Sequence, residues 1–304
     1  MSSSTWSRAV GLCGFVVLLG VLMPAWSDDK NEKDKGPKEA PKGPLDKEGK
    51  NTIGMKFALI PKGTFDMGSP EDEKDRSSVE KQHAVEISKA FYLGVYEVKQ
   101  KEWVALMKDN PSYFSRKGKG ADEVKDVKDE DLDEFPVEYV TYSDAEKFIG
   151  KLNEKEEKRL SGWKYSLPTE AQWEYACRAG AKDYKKYHFG DSISKDDANF
   201  DQKLERTCKV GSYAANKFGL YDMHGNVWEW CKDWYDPYYY KNSPKRDPLN
   251  LEEVRSNAGS FRVTRGGSWH ASAERCRSAH RGVSEPEEDN AYDLGFRVAL
   301  VPTR

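Results

Sequence analysis

The sequence predicts an α+β domain with much irregular structure. Two segments with helical periodicity lie in the first half of the chain, and each follows a sequence typical of a helix start. After Gly180 that periodicity ends, and Gly, Asn, Asp and aromatic residues surround short apolar runs. Helices that precede the short strands, rather than alternating with them, are typical of an α+β arrangement and not of a parallel α/β sheet.

The N-terminal end has the features of a targeting segment. Arg8 precedes an apolar run from Ala9 to Met23, and Ala25-Trp26-Ser27 supplies the small residues of a cleavage site. We therefore predict that residues 1–27 are a signal peptide and that the protein is secreted or periplasmic. The run is short for a membrane span, and an uncleaved N-terminal anchor is the alternative.

A charged linker is predicted to follow. Residues 28–50 consist almost wholly of Lys, Asp, Glu, Gly and Pro. Such a segment buries too little apolar surface to offset the entropy of ordering, so we expect a disordered tether. Residues 51–304 remain, and they are long enough for one domain with a sizeable core.

Charge and composition argue against several functions. The net charge is −3, and no basic stripe with interleaved aromatic residues occurs, so nucleic acid is not an expected partner. No segment after the N-terminal run is apolar enough to cross a membrane. The five histidines lack the spacing of a zinc site.

Two short apolar runs near the start of the domain predict a β-hairpin. Phe57–Ile60 and Thr64–Met67 flank Pro61-Lys62-Gly63, whose Pro and Gly are typical of a turn. Alternating residues from His83 to Val95 predict a further strand region, broken at Gly94.

A helix is predicted from Glu97 to Lys108, because Trp103, Leu106 and Met107 fall on one face. The segment Ser115–Glu134 is dense in charge and poor in hydrophobic residues. We expect it to be a mobile surface loop.

Two capping boxes predict helix starts, one at Ser143 with Glu146 and one at Thr169 with Gln172. The second helix is expected to end at Gly180. The first helix should bury a face with helical spacing, formed by Ala145, Phe148, Ile149 and Leu152.

The stretch Gly219–Trp230 carries the strongest signal of a binding site. It combines a Gly-containing bend with oxygen donors at Asp222, Gly225, Val227 and Glu229. Carboxylates and backbone carbonyls are the ligands that a hard cation such as calcium takes in flexible geometry. The alternative is a turn followed by an aromatic-rich core strand, in which the two Trp rings are buried.

Four cysteines follow the predicted signal peptide: Cys177, Cys208, Cys231 and Cys276. Export permits disulfides, but four thiols allow three full pairings, among which the sequence does not choose.

Several segments, in order along the domain, resemble the formylglycine-generating enzyme family, also called the sulfatase-modifying factor family. The matching segments are Ile60–Gly68, Phe91–Gly94 with Glu97-Val98, Asn110–Phe114, Pro136–Glu138, Leu167–Ala176, Gly219–Trp230, Arg265–Trp269 and Leu294–Arg297. The resemblance implies a single domain related to C-type lectins, with few regular elements and bound calcium. In active members two cysteines bind copper(I), and a cysteine of a sulfatase is oxidised to formylglycine by molecular oxygen.

The resemblance also identifies a departure from the family. The family's two copper ligands lie five residues apart, just after a Gly-Gly-Ser sequence. The second position is Cys276 here, but the first is Ala271, which has no donor atom. Because copper(I) favours thiolates, the copper pair is incomplete. Ser268 and Trp228 match positions that line the family's active site, and would be catalytic with Cys276 only in an active enzyme.

Two further positions bear on this site. Asp293 stands where the sulfatase-modifying enzymes carry an Asn near the substrate. Cys231 has no counterpart among the copper ligands. It either forms a disulfide with Cys276 or forms a displaced metal pair with it; otherwise Cys276 is a buried free thiol.

The resemblance assigns the calcium ligands to two sites. Asp222, Gly225, Val227 and Glu229 match the second site, with Asp in place of the usual Asn. Asn199 and Phe200 match the first half of the first site, whose second half has no recognisable match.

Two functions follow. One is a non-oxidising, calcium-stabilised module that recognises an exported protein or glycan, with a sulfatase among the candidates. The aromatic residues of Trp234-Tyr235 and Tyr238–Tyr240 would supply its binding face, unless they belong to the core. The alternative is a copper- and oxygen-dependent oxidase that converts a sulfatase cysteine to formylglycine through Cys276.

Overall fold

A computed structural model describes residues 44–45, 49–181, 183–255, 257, 259–287 and 291–303. The predicted signal peptide and most of the predicted tether lie outside these residues. The α-helices are α1 (Gln100–Met107), α2 (Asp129–Leu132), α3 (Tyr142–Glu156), α4 (Glu170–Arg178) and α5 (Tyr239–Asn242). The strands are β1 (Phe57–Ile60), β2 (Gly63–Met67), β3 (His83–Ile87), β4 (Phe91–Gly94), β5 (Trp163–Ser166), β6 (Trp228–Trp234), β7 (Arg262–Arg265), β8 (Gly282–Ser284), β9 (Leu294–Gly295) and β10 (Ala299–Pro302).

The strands form three sheets. One has the order β1-β4-β10-β5, the second pairs β2 with β3, and the third has the order β8-β7-β6-β9. Short strands and a few helices, separated by long irregular stretches, confirm the predicted α+β class. No helix within the described part of the chain is long and apolar enough to span a membrane.

The predicted hairpin between the first two strands is wrong, although both strands exist. All four residues of β1 pair with β4, and all five residues of β2 pair with β3. The turn residues Pro61 and Lys62 therefore carry the chain from one sheet into another. Turn chemistry is local, whereas strand pairing is decided by the partner that completes the longest ladder and buries the apolar face.

The predicted strand region His83–Val95 is two strands, β3 and β4, and the break lies at Ser88 rather than Gly94. The Ser88 amide donates a 2.8 Å hydrogen bond to the Asp247 carboxylate instead of joining a ladder. The position of the break therefore depends on Asp247, which lies 159 positions later in the sequence.

The first predicted helix exists but begins at Gln100, three residues later than expected. Trp103 is buried, and Leu106 and Met107 pack against the same core cluster, which confirms the predicted face. Glu97 lies before the helix because its carboxylate accepts hydrogen bonds from Asn226 and from the Val227 amide.

The second capping box was correctly predicted and the first was misplaced. Thr169 accepts a 3.1 Å hydrogen bond from the Gln172 amide, and the Gln172 side chain accepts one of 3.0 Å from the Thr169 amide. At α3 the N-cap is Thr141, with Asp144 as its partner, so the predicted Ser143–Glu146 box is wrong. Asp serves here in the role of Glu. The predicted buried face of α3 is confirmed for Ala145, Phe148, Ile149 and Leu152.

The segment Ser115–Glu134 is more structured than expected. It contains a 3-10 helix, Ala121–Val124, and α2. Val124 and Leu132 are buried with Trp269 and two phenylalanines, so part of the predicted surface loop contributes to a small core. Two well-placed aliphatic side chains are enough to anchor an otherwise polar segment.

Candidate functional site

The Gly-Gly-Ser segment follows β7 directly. Gly267 has φ of 77°, and a Cβ on it would overlap the sulfur of Cys276. Glycine is therefore required both by the left-handed backbone and by the close approach of the cysteine. This contact places the sulfur of Cys276 directly beneath the backbone that leads into Ser268.

Ser268 is held by a carboxylate. Its hydroxyl donates a 2.7 Å hydrogen bond to Oδ2 of Asp293, and it accepts one of 3.3 Å from the His270 amide. The Trp228 amide donates to the Asp293 carbonyl at 2.8 Å, because β6 and β9 run parallel at this point. Burial raises the pKa of Asp293, although the Ser268 hydroxyl opposes that rise. The structure thus brings Trp228, Ser268 and Asp293 together, as the resemblance implies.

Cys276 lies next to these residues but is fully buried. It packs with Ala271 and Phe200 in one hydrophobic cluster, and Trp228 contacts that cluster. Burial raises the pKa of the Cys276 thiol to about 12, so the sulfur is protonated at neutral pH. Ala271, which the family resemblance aligns with the first copper-ligand position, is also buried.

The predicted disulfide between Cys231 and Cys276 is not formed. Cys177, Cys208, Cys231 and Cys276 are all free and buried. Cys231 packs in the cluster that contains Trp173 and Val263, separate from the cluster of Cys276. The sequence places both cysteines in the same domain but does not show which core cluster each of them packs into. Of the three alternatives, the buried free thiol is the one observed.

Residues predicted for the second calcium site lie beside those predicted for the first half of the first site. Gly225 has φ of 114°, and any Cβ there would overlap the Asn199 carbonyl. That carbonyl accepts a 2.9 Å hydrogen bond from the Asn226 amide. The carbonyl of Phe200 already accepts a bond of 3.1 Å from the Lys203 amide.

Two buried oxygens at this junction have no hydrogen-bond partner among the residues that the structure describes: Oδ1 of Asn199 and Oδ1 of Asp222. Both residues line one cavity of about 10 Å³, which is roughly the space that a single water or ion occupies. The other Asp222 oxygen accepts a 2.6 Å hydrogen bond from the Gly211 amide. Because buried polar atoms are rarely left unpaired, this pair of oxygens fits a hard cation.

Glu229, the last predicted ligand of the second site, is engaged elsewhere. Its two carboxylate oxygens each accept a 2.6 Å hydrogen bond from Arg297, and one of them accepts a third, of 2.7 Å, from the Trp173 indole. Neither Glu229 nor Arg297 is exposed. Glu229 therefore forms a buried ion pair with Arg297.

Carboxyl groups outnumber guanidinium groups around Asp222. The neighbouring carboxylate of Glu97 is fully buried, and burial together with Asp222 and Glu229 raises its pKa well above the usual value. Burial raises the pKa of Asp222 to about 6, and Glu229 adds to this while Arg297 opposes it. Three carboxylates share one guanidinium, so a bound cation would favour their ionised forms.

Sequence reasoning did not identify Glu97 as part of this cluster. The sequence feature that could have identified Glu97 is its place between Tyr96 and Val98, shortly after a largely buried strand. It also did not identify His224 as a support for the Cys276 segment. His224 Nδ1 lies 2.7 Å from the Cys276 carbonyl, and Nε2 accepts a 3.0 Å bond from the His188 amide.

The aromatic residues of the predicted binding face are mostly half-buried. Tyr240 is buried, and the Arg281 guanidinium lies 4.1 Å from its ring centre and 4.8 Å from that of Tyr235. Trp234 is half-buried, and the Arg262 guanidinium lies 3.7 Å from its ring centre. Within this group Tyr238 is the largely exposed residue, at 65%.

Comparison with known proteins agrees with this geometry. The family described as "Sulfatase-modifying factor enzyme 1-like domain" matches residues 44–301. The serine/threonine-protein kinase pkn1 of Chlamydia caviae is 30% identical over 256 residues, which cover 80% of this chain but 37% of that protein. The formylglycine-generating enzyme of Streptomyces coelicolor is 36% identical over 182 residues, covering 54% of this chain and 52% of that enzyme. The chain thus spans between about a third and a half of these two relatives.

The solved structure of PvdO from Pseudomonas aeruginosa is similar over 82% of this chain and 95% of that one, with 27% identity and a TM-score of 0.66. The match to the family extends over most of the chain, and the structural match has the same extent. The chain therefore belongs to the sulfatase-modifying factor enzyme 1-like family.

Proposed function

We propose that this protein is a non-oxidising member of its family that acts as an exported recognition module. One observation carries the proposal: at the family's copper position the chain has the methyl group of Ala271 beside a fully buried, protonated Cys276. Copper(I) needs soft thiolate ligands, and a single buried thiol is a poor ligand for it. The scaffold around that position is nevertheless intact, since Ser268 remains bonded to Asp293 beside Trp228.

Calcium is the cofactor that we propose for this module. The unpartnered oxygens of Asn199 and Asp222 would hold the ion, and the ion would balance the excess charge of the buried carboxylates. Its contribution would be structural, because a cation that binds only the folded chain stabilises it by mass action. The ion would stabilise most strongly the segment around Asn199 and the largely irregular segment Gly219–Trp230.

The partner that we propose is an exported protein or glycan, with a sulfatase among the candidate proteins. Support comes from the predicted signal peptide and tether, and from the similarity to formylglycine-generating enzymes. The kinase relative from Chlamydia caviae matches this chain over 37% of its own length, and we do not propose the activity in its name for this protein.

The oxidase remains the second candidate, favoured by the arrangement of Trp228, Ser268 and Asp293 around Cys276. The test is a titration of the purified protein with copper(I) in competition with a chromogenic chelator. It is followed by an aerobic assay of a Cys-x-Pro-x-Arg peptide for loss of thiol and gain of aldehyde. We expect neither copper uptake nor aldehyde from the natural sequence.

The matched control is Ala271→Cys, which restores the second sulfur, with Ala271→Ser as its oxygen counterpart. We expect Ala271→Cys to bind copper(I) and Ala271→Ser not to bind it. Stoichiometric, tight copper uptake by the natural sequence would overturn the proposal, and aldehyde formation would establish the oxidase.

A further inference from the structure

A second cleft lies beside Trp228, on the side of β8. It has a volume of about 280 Å³ and is lined by Trp228, Thr264, Arg275, His280, Arg281, Gly282, Val283 and Ser284. None of the calcium or copper positions discussed above is among these residues. The cleft is close to the lower end of the size range of small-ligand sites, and it is open to one edge of a sheet.

The wall of the cleft depends on a glycine. A Cβ on Gly282 would lie 2.5 Å from the Thr264 hydroxyl and 2.8 Å from the Trp228 ring. Only glycine lets the indole pack flush against the strand. The His280 ring packs at 5.7 Å from the Trp228 ring, tilted by 43° to it, and adds a second aromatic surface to the wall.

One side of the cleft is a sheet edge. β8 is the terminal strand of the order β8-β7-β6-β9, and it pairs with β7 through Val263↔Val283. Its outer side therefore has no strand partner within the described residues. Val283 is 43% exposed beside it. An exposed edge of this kind accepts an extended peptide by strand addition, in which backbone hydrogen bonds give affinity and side-chain pockets give specificity.

The charge of the cleft selects among peptides. Of the described residues that line it, none is acidic and two are arginines. Arg281 is balanced by Glu170 at 2.8 Å, whereas the exposed Arg275 has no hydrogen bond or ion pair from its guanidinium to the rest of the described chain. Burial lowers the pKa of His280 to about 4, so the imidazole is neutral at pH 7.

The acidic residues near the cleft are paired elsewhere or do not line it. Glu80 lies 3.9 Å from Nδ1 of His280 but is paired with a buried arginine at 2.8 Å. Glu274 and Glu285 are not among the lining residues. Arg275 opposes the rise of the pKa of the buried Asp293 that burial causes. Arg275 is therefore the exposed positive charge that the cleft offers to a ligand.

We propose that the edge of β8 and the adjoining cleft form a docking site for an extended acidic segment of a partner protein. The segment adds a strand to β8, places an apolar side chain against Trp228 and pairs a carboxylate with Arg275. This inference rests on the proposed recognition function and names the chemistry of its partner.

The test uses the purified protein and a fluorescent acetyl-(Val-Glu)3 amide peptide, whose alternation puts apolar and acidic side chains on opposite faces. Comparison peptides are acetyl-(Val-Lys)3 amide and a (Val-Glu)3 peptide with alternate backbone nitrogens methylated, which cannot complete a ladder. Binding is measured by anisotropy, and the bound region by hydrogen exchange of the segment that contains Gly282–Ser284.

We expect the glutamate peptide to bind and to slow exchange at β8, and both comparison peptides to bind at least ten-fold more weakly. Arg275→Glu should weaken binding at least ten-fold. Arg255→Glu, which changes an exposed arginine outside the cleft, should have no effect. No binding of the glutamate peptide, equal binding of the methylated peptide, or unchanged exchange at β8 would overturn the inference. The methylated peptide tests the unaltered protein, so a folding defect in a variant does not affect that result.

Failure of this inference is separable from failure of the proposed function. A protein that binds no copper and no peptide would retain the non-oxidising assignment and lose the acidic-peptide site. A protein that takes up copper would lose the assignment, whatever the peptide does.

Discussion

Arg297 donates to both carboxylate oxygens of Glu229 at 2.6 Å, in the interior of the domain where neither side chain is exposed. The same guanidinium donates to the carbonyls of Gly94 and Tyr221 at 3.0 Å. The Arg297–Glu229 pair thus connects the segment before β10 to β4, to the bend at Tyr221 and to β6. Glu229 therefore joins distant segments of the fold through Arg297, and its role as a calcium ligand stays a prediction.

Replacement of Arg297 by Met should destabilise the protein by about 3–5 kcal/mol, because it leaves Glu229 buried without its counter-ion. The free energy of unfolding from urea titration measures this. In the Arg297→Met background, Glu229→Gln should recover part of the loss, since it removes the unpaired charge. If the single and double variants were equally unstable, packing rather than charge would be the cause.

Replacement of Asp222 by Ala should abolish stabilisation by calcium. Its Oδ1 is one of the two unpartnered oxygens in the small cavity. For the natural sequence we expect calcium at about 100 times its Kd to add roughly 2.7 kcal/mol. Thermal melts with calcium and with chelator measure the difference. Asp126→Ala, at an exposed carboxylate, is the control and should keep the full calcium effect. Calcium stabilisation of Asp222→Ala equal to that of the natural sequence would exclude this site.

Glu138 should make stability depend on pH. Burial raises its pKa to about 8 and Asp293 adds to this, while the amides of Phe114 and Tyr113, which donate to its two oxygens, oppose the rise. The pKa is higher in the folded chain than its usual 4.5, so this contribution is full below about pH 4.5 and is lost as the pH rises through 8.

The slope from this one group is at most about 1.4 kcal/mol per pH unit. Glu138→Gln should remove it, so the difference in unfolding free energy between the natural sequence and this variant should change between pH 5 and 8. Urea titrations across that range measure the difference. A difference that is constant with pH would mean that Glu138 keeps an ordinary pKa.

Thr169→Ala should destabilise α4 by about 1 kcal/mol, because Thr169 accepts the hydrogen bond from the Gln172 amide at the helix start. Urea titration measures the loss. Thr169→Ser keeps the hydroxyl and should retain most of the stability. A loss of the same size for Ser and Ala would assign the effect to the methyl group instead of the cap.

Local signals explain what the sequence predicted well. The start of α4 and the buried face of α3 depend on residues three or four positions apart, which the chain itself brings together. The alanine at position 271, where the family resemblance expects a copper-ligand cysteine, is also a matter of one residue type at one place. The convergence of Trp228, Ser268 and Asp293 came from the resemblance, since no local pattern joins them.

What the tertiary structure decided was the choice among distant partners. β1 pairs with β4 and not with its neighbour β2, and Glu229 meets Arg297 68 positions later in the sequence. Cys231 and Cys276 point into different clusters although both are buried. The amino-acid sequence by itself predicted the fold class, the capped start of α4 and the buried face of α3, because each depends on a local pattern of residues. Strand partners, buried ion pairs and thiol neighbours depend on which long-range contacts bury the most apolar surface while satisfying every polar group, and only the folded chain determines that.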